Sequence, residues 1–283
     1  AHRVLFKREH DRWNKMIPWF LGPFFGHTPT SFFIHHIGMH HPENNLEPDL
    51  SSTMGYKRDN FLHFLHYWAR FNLTGYLHMT RYFLVRRRKK IVRNLIAGEL
   101  SWLFVVSVLL YVDFAATMVV FVIPLLLIRF FLMAGNFAQH SFVDQADPGN
   151  PYRNSTCLIN TRYNHKCYND GYHIVHHIEP SLHWTEMAKW FEDRAEEFGR
   201  QDAVVFSEIG DNQAVFWALM TGNWDKLAKH MVQLPGAPER THEEKIAFLK
   251  GRVQHPDAKG IKGLLEVRES PWGAPPLKAG ASA

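Results

Sequence analysis

Residues 101–134 read SWLFVVSVLLYVDFAATMVVFVIPLLLIRFFLMA, an apolar run with Asp113 close to its middle. About 20 apolar residues cross the hydrocarbon core of a bilayer. The run is therefore too long for one comfortable span, and the acid marks where it breaks. We read two helices joined by a tight turn near residues 112–115; one long tilted helix, or a helix buried in a soluble core, would use the same residues. The basic run RRRKK, residues 86–90, stands just ahead of the pair, and a cluster of Arg and Lys beside a span is held on the cytoplasmic side.

Working outward, residues 16–34, MIPWFLGPFFGHTPTSFFI, are apolar but broken by Pro18, Pro23 and Pro29 and by His27. That pattern suits an interfacial or re-entrant segment at least as well as a span. Residues 61–84 mix aromatic, histidine and arginine side chains, as amphipathic helices at a membrane surface do. After residue 184 the segments TEMAKWFEDRAEEFGRQDAVVF, NQAVFWALMTGNWDKLAKHMVQL and THEEKIAFLKGRV carry charged faces at helical spacing. The end, PWGAPPLKAGASA, reads as a flexible tail. The expected architecture is all-α: an integral-membrane domain over residues 1–184, a cytosolic helical region over 185–270 and a tail over 271–283.

The 283 residues are 46% hydrophobic and carry a net charge of +5, too mild an excess to argue for nucleic acid. Cys157 and Cys167 form neither a disulfide framework nor a zinc CxxC motif. No signal peptide is visible. The sequence opens on AHRVLFKREH without a start Met, which suggests an N-terminal truncation.

The anomaly is histidine, with 19 residues. The stretch HHIGMHH, residues 35–41, holds His36, His40 and His41 at HxxxHH spacing. On an α-helix, residues four apart share a face, so His36 and His40 would point one way and His41 about 100° round. A second cluster, His173, His176 and His177, has HxxHH spacing, and His140 stands alone at the end of the apolar run. A lone histidine is ordinarily a surface or satisfied core residue, so His10, His78, His165, His183, His230, His242 and His255 stay unassigned. His63 and His66, though helically spaced, sit in an aromatic setting that favours an interfacial face. Two clusters flanking one apolar hairpin argue for a metal site. For both to serve one site, the chain must cross the membrane an even number of times between them, as a two-helix hairpin does. The zinc peptidase motif HExxH is missing from the sequence, and none of the clustered histidines belongs to a Glu-x-x-His pattern of the kind soluble di-iron bundles use. Iron accepts imidazole and does oxygen chemistry, which leaves an imidazole-rich pair of irons as the economical reading.

These motifs resemble the membrane-bound fatty acid desaturases and hydroxylases, a superfamily that includes the alkane monooxygenases. The HHIGMHH stretch is similar to the family's second histidine box, although His35 stands where the alkane hydroxylases carry Glu. NFAQH is similar to its Asn-x-x-x-His element, which implies His140 as a ligand with Asn136 nearby. GYHIVHHIEPSLHW looks like the last box and implies His173, His176 and His177. A complete first box would place a histidine four positions before His2, so the resemblance implies His2 as the surviving ligand of a cut box, with His10 or His27 the substitutes if His2 is ordinary. It covers about residues 2–184.

The resemblance implies two Fe ions, with O2 as co-substrate, at the cytosolic face of an endoplasmic reticulum or bacterial inner membrane. It implies a long-chain acyl lipid or hydrocarbon substrate and, because no HPGG haem motif is present, an external electron donor such as a cytochrome b5 or ferredoxin. Asp170, Glu179, Glu43 and Asp144 are expected to orient ligands. Desaturation is the favoured outcome, hydroxylation on the same site the alternative, and a zinc-dependent membrane hydrolase the more distant one. Two glycosylation sequons, Asn72-Leu73-Thr74 and Asn154-Ser155-Thr156, would go unused on the cytosolic side.

Overall fold

A computed structural model describes residues 6–253; His2 lies outside them. The fold is predominantly helical. Its principal elements are α1 (31–43), α2 (Phe61–Val85), α3 (Lys89–Val112), α4 (Phe114–Gln139), β1 (Thr156–Ile159), α5 (His173–Ile178), α6 (Met187–Glu192), α7 (Ala195–Arg200), β2 (Val204–Ser207), α8 (Asn212–Met220), α9 (Trp224–His230) and α10 (His242–Val253).

The apolar run becomes two helices, each long and apolar enough to cross a membrane. They extend beyond the run at both ends, to about 36 and 39 Å at 1.5 Å per residue. The break is a single residue. Asp113 is extended (φ −149°, ψ 99°), and its side chain accepts from the Ala116 backbone N–H, so the acid ends α3 and caps α4. The outward residues Leu103, Phe104, Val112, Phe114, Val119 and Leu127 are exposed, as lipid-facing positions are. Residues 16–34 do not form one helix. Ile17–Leu21 is a π turn and Gly22–Phe25 a 3-10 turn, and left-handed backbone at Gly26 and Thr30 keeps these turns separate from α1.

The chain forms two compact units, each discontinuous in sequence. Among the described residues, one comprises 6–43 and 68–130, the other 44–67 and 131–253. In the first, the segment ahead of α1 lies tight against α3. A Cβ on Gly98 would stand 2.2 Å from the Pro29 carbonyl oxygen, so this crossing needs glycine. At the far end of α1, Glu43 accepts from the Tyr82 hydroxyl and from Arg86 (2.8 Å), and the Arg86 guanidinium stacks on the Tyr82 ring at 3.6 Å.

The second unit departs from an all-α expectation. β1 and β2 pair in parallel with Thr156 opposite Val204 and Ile159 opposite Ser207. Parallel neighbours need a long crossover, and here the crossover carries α5, α6 and α7. Both strands come from Val-, Ile- and Phe-bearing stretches, CLI and VVF. Their buried faces join Ile174, Val175, Met187, Phe191, Phe198 and Leu234 in one core. Full burial of a side chain such as Phe198 contributes about 2 kcal/mol. Arg58, fully buried, donates to the Arg252 carbonyl at 3.0 Å and so meets the C-terminal end of α10 with a cation.

Candidate metal centre

α1 is not a regular α-helix. Residues His36–His40 form a π turn, and the His41 N–H bonds to the His36 carbonyl five residues back. A π turn brings i and i+5 onto one face instead of i and i+4. The Nε2 atoms of His36 and His41 accordingly lie 3.3 Å apart. His40 keeps ring contacts with both at centroid distances of 5.8 and 5.9 Å. The pairing expected from an α-helix, His36 with His40, is thus corrected to His36 with His41. His35 turns its ring edge-on to Phe71 at 5.0 Å.

In the second unit α4 ends at Gln139, and His140 comes directly after it. Its Nδ1 lies 2.9 Å from the Asn154 carbonyl oxygen. A carbonyl only accepts, so Nδ1 carries the proton and the lone pair stays on Nε2. That Nε2 is 3.2 Å from the Nε2 of His173, which is 3.1 Å from the Nε2 of His177. The HxxHH motif is divided by its own helix. His173 and His177, four apart, join His140, while Ile174 and Val175 on the opposite face enter the core. The His176 ring stands off at 5.7 Å from His173 and 5.9 Å from His177.

This donor set fits a metal. Two imidazole nitrogens bound roughly 2.1 Å from one ion stand about 3.0–3.4 Å apart at octahedral to tetrahedral angles. The spacings of 3.1–3.2 Å fall in that window. The Asn154 contact also supplies the usual outer partner, fixing tautomer and ring orientation from behind.

The four carboxylates expected to orient ligands make other contacts. Glu43 anchors the end of α1. Asp144 pairs with Arg153 and Arg252, both at 3.3 Å. Asp170, partly buried, accepts from the Tyr163 hydroxyl (2.6 Å) and from Gln139 Nε2 (3.2 Å), and so ties the residue before His140 to the loop leading into His173. Burial holds its carboxyl above the usual range, against the pull of those two donors. Glu179 closes α5 through its backbone, donating to Val175. Asn136 donates to the Tyr67 hydroxyl (2.8 Å) and the Ser51 carbonyl (3.3 Å), bracing α4 against the segment that ends at Tyr67.

Asn154 is not visible from sequence as a site residue because it sits in a sequon. Its side chain is buried and donates to the carbonyls of Asn44 and Pro148, so it is no glycan acceptor in the folded protein. Nothing in the spacing announces it as the partner of His140; only the chain's return through Asn154 behind the ring reveals it. Of the histidines left unassigned, His183 caps the Thr185 turn and His230 donates to the Ser207 carbonyl. His63, buried, accepts from the Lys57 N–H.

The sequence matches the fatty acid desaturase family over residues 1–208 of 283. The chain belongs to the fatty acid desaturase family. The match runs through both histidine clusters, both candidate spans and the parallel strand pair. As a member of the fatty acid desaturase family the chain is an oxidoreductase, and its two apolar helices agree with a membrane protein. Comparison with curated proteins and with solved structures gives no match.

Proposed function

We propose that the protein is an O2-dependent fatty acyl desaturase in which the two histidine clusters together hold two iron ions. The observation that carries the reading is the convergence of the Nε2 atoms of His140, His173 and His177 at 3.1–3.2 Å, with the His140 proton held on the far nitrogen by Asn154. These three would form the core of one iron's ligand set, and the His36–His41 pair the core of the other. His40 and His176 complete the sets, with His2 the contribution of the first histidine box.

Two irons, when bound, supply O2 activation and the power to oxidise an unactivated methylene of a long acyl chain. The protein's part is positional. Asn154 keeps the His140 proton on Nδ1, and α5 presents His173 and His177 from a helix whose other side is locked in the core. Glu43 fixes the end of the π-turned helix through Tyr82 and Arg86. All-imidazole ligation leaves the ions electrophilic, as the chemistry of a C–H bond requires. The site faces the cytosol, on the side of the basic run at residues 86–90, and an external donor such as a cytochrome b5 or ferredoxin brings the electrons.

Metal analysis of the purified full-length protein, with mass spectrometry of lipid products, tests this. About two irons per chain and a new double bond support the reading. An alcohol without an alkene assigns the same site to hydroxylation, and zinc alone assigns it to a hydrolase. The His176→Ala variant should lose turnover entirely.

A further inference from the structure

The C-terminal region beyond residue 208 includes α8, which lies outside the family match. Its buried side packs Phe216 edge-on to Phe64 of α2 at 4.6 Å. On another side Gln213 and Trp217, four residues apart, share a face. Gln213 Nε2 donates to the Phe131 carbonyl of α4 at 2.8 Å. Trp217 is 46% exposed and stacks on Phe61 at 6.2 Å. Phe61, Leu62, Phe131 and Leu132 are exposed too, at 37–55%. Indole and phenyl rings are thus left uncovered in the same unit as the end of a spanning helix, and α8 is bonded to that helix.

We infer that α8 lies in the interfacial layer of the bilayer, with Trp217, Phe61 and Leu62 among the lipid headgroups and upper acyl chains. The depth comes from helix geometry. Phe131 is 17 residues from Phe114 at the other end of α4, about 26 Å along the axis. A hydrocarbon core is about 30 Å thick, so with Phe114 near one boundary Phe131 stands close to the other. A side chain bonded at Phe131 enters the layer where Trp is enriched, its ring apolar and its N–H wet. The continuity of the patch with the lipid-facing residues of α4 selects lipid, rather than a protein, as its cover. The inference rests on the membrane reading and is independent of the metal.

The test uses the full chain in phosphatidylcholine nanodiscs. Cys167 is replaced by Ser, and single cysteines are introduced by Trp217→Cys or Leu62→Cys and labelled with an environment-sensitive fluorophore. Spin-labelled lipids then quench from the headgroup, shallow or deep acyl positions. At residues 217 and 62 emission should shift to the blue, with headgroup and shallow labels quenching at least twofold more than deep ones. Glu196→Cys, on α7, should report water, and Leu103→Cys, on α3, should be quenched from the deep position. Aqueous, unquenched emission at both 217 and 62, or stronger deep than shallow quenching there, overturns the inference while Leu103 still reports lipid. An unquenched Leu103 label instead overturns the membrane reading on which the inference stands.

Discussion

The Nε2 atoms of His36 and His41 stand 3.3 Å apart because the backbone between them is a π turn. Regular α-helix would have set His41 on a different face from His36 and left His40 in its place. The pair is therefore a property of the backbone as much as of the residue types, and its loss should register in metal content. His36→Ala, His41→Ala and His173→Ala should each sharply reduce bound iron, while His183→Asn, at an exposed turn, should retain it. Elemental analysis of the four variants checks this; full iron in His41→Ala would remove the pair from the site.

Glu43 holds the end of α1 through Tyr82 and Arg86, with side chains only 11–16% exposed for the ion pair. Charge-assisted hydrogen bonds of this kind contribute about 1.5–3 kcal/mol. Glu43→Ala should lower the unfolding temperature and loosen metal binding together, and Glu43→Gln should recover part of both. Thermal unfolding followed by metal release reports the coupling. Unchanged iron affinity in Glu43→Ala would restrict the residue to stability alone.

Asp170 links Gln139 to Tyr163 in a partly buried position, and the desolvation of its carboxyl raises its pKa. A carboxyl whose folded pKa exceeds its unfolded value binds its proton more tightly when folded. Its contribution is then most favourable below about pH 4 and declines as pH rises through the shifted value. The melting temperature of the Asp170→Asn variant should show a weaker fall over that window than that of the parent. Asp170→Ala, which strands the Gln139 amide and the Tyr163 hydroxyl, should cost about 1–3 kcal/mol at every pH. Parallel pH profiles for parent and Asn variant would contradict the assignment.

Gly98 meets the Pro29 carbonyl at a distance no Cβ tolerates. Gly98→Ala should cost about 1–3 kcal/mol by forcing the segment away from α3, and Gly98→Val more. Gly149, where an added Cβ meets nothing within 4 Å, is the matched control, and its alanine variant should unfold with the parent.

Cys157 is wholly buried and its thiol is pushed up to about 12, chiefly by that burial. Only the thiolate reacts with alkylating reagents. Iodoacetamide at pH 8 should leave Cys157 intact in the folded protein and modify the partly exposed Cys167, with both modified after denaturation. Peptide mass mapping reads the outcome directly.

Much of this was legible in the sequence for physical reasons. Asp113 inside an apolar run could only sit at a break, and it does, as the cap of α4. The histidines at 36–41 and 173–177 stood out by type and spacing, whereas lone His140 was marked as a ligand only by the family resemblance. Which rings pair was not legible, because the π turn is an irregularity that helical periodicity averages away; its Gly38 lies close under Phe83, where a Cβ would stand 3.0 Å from the ring, a contact from a distant helix. The parallel strands were hidden by their brevity. Asn154 was hidden by its sequence neighbours, since Asn-Ser-Thr reads as a surface acceptor until burial is known.

His140 succeeds the last turn of a helix that Asp113 caps at its other end and that carries a π turn at Met118–Val122. A rod of that length accommodates a thinner or thicker bilayer by leaning, and an imidazole fixed at its tip moves with it, while Asn154 and the bonds of Asp170 resist from behind. On the proposed reading, lipid composition would become a mechanical input to the position of the His140 ring.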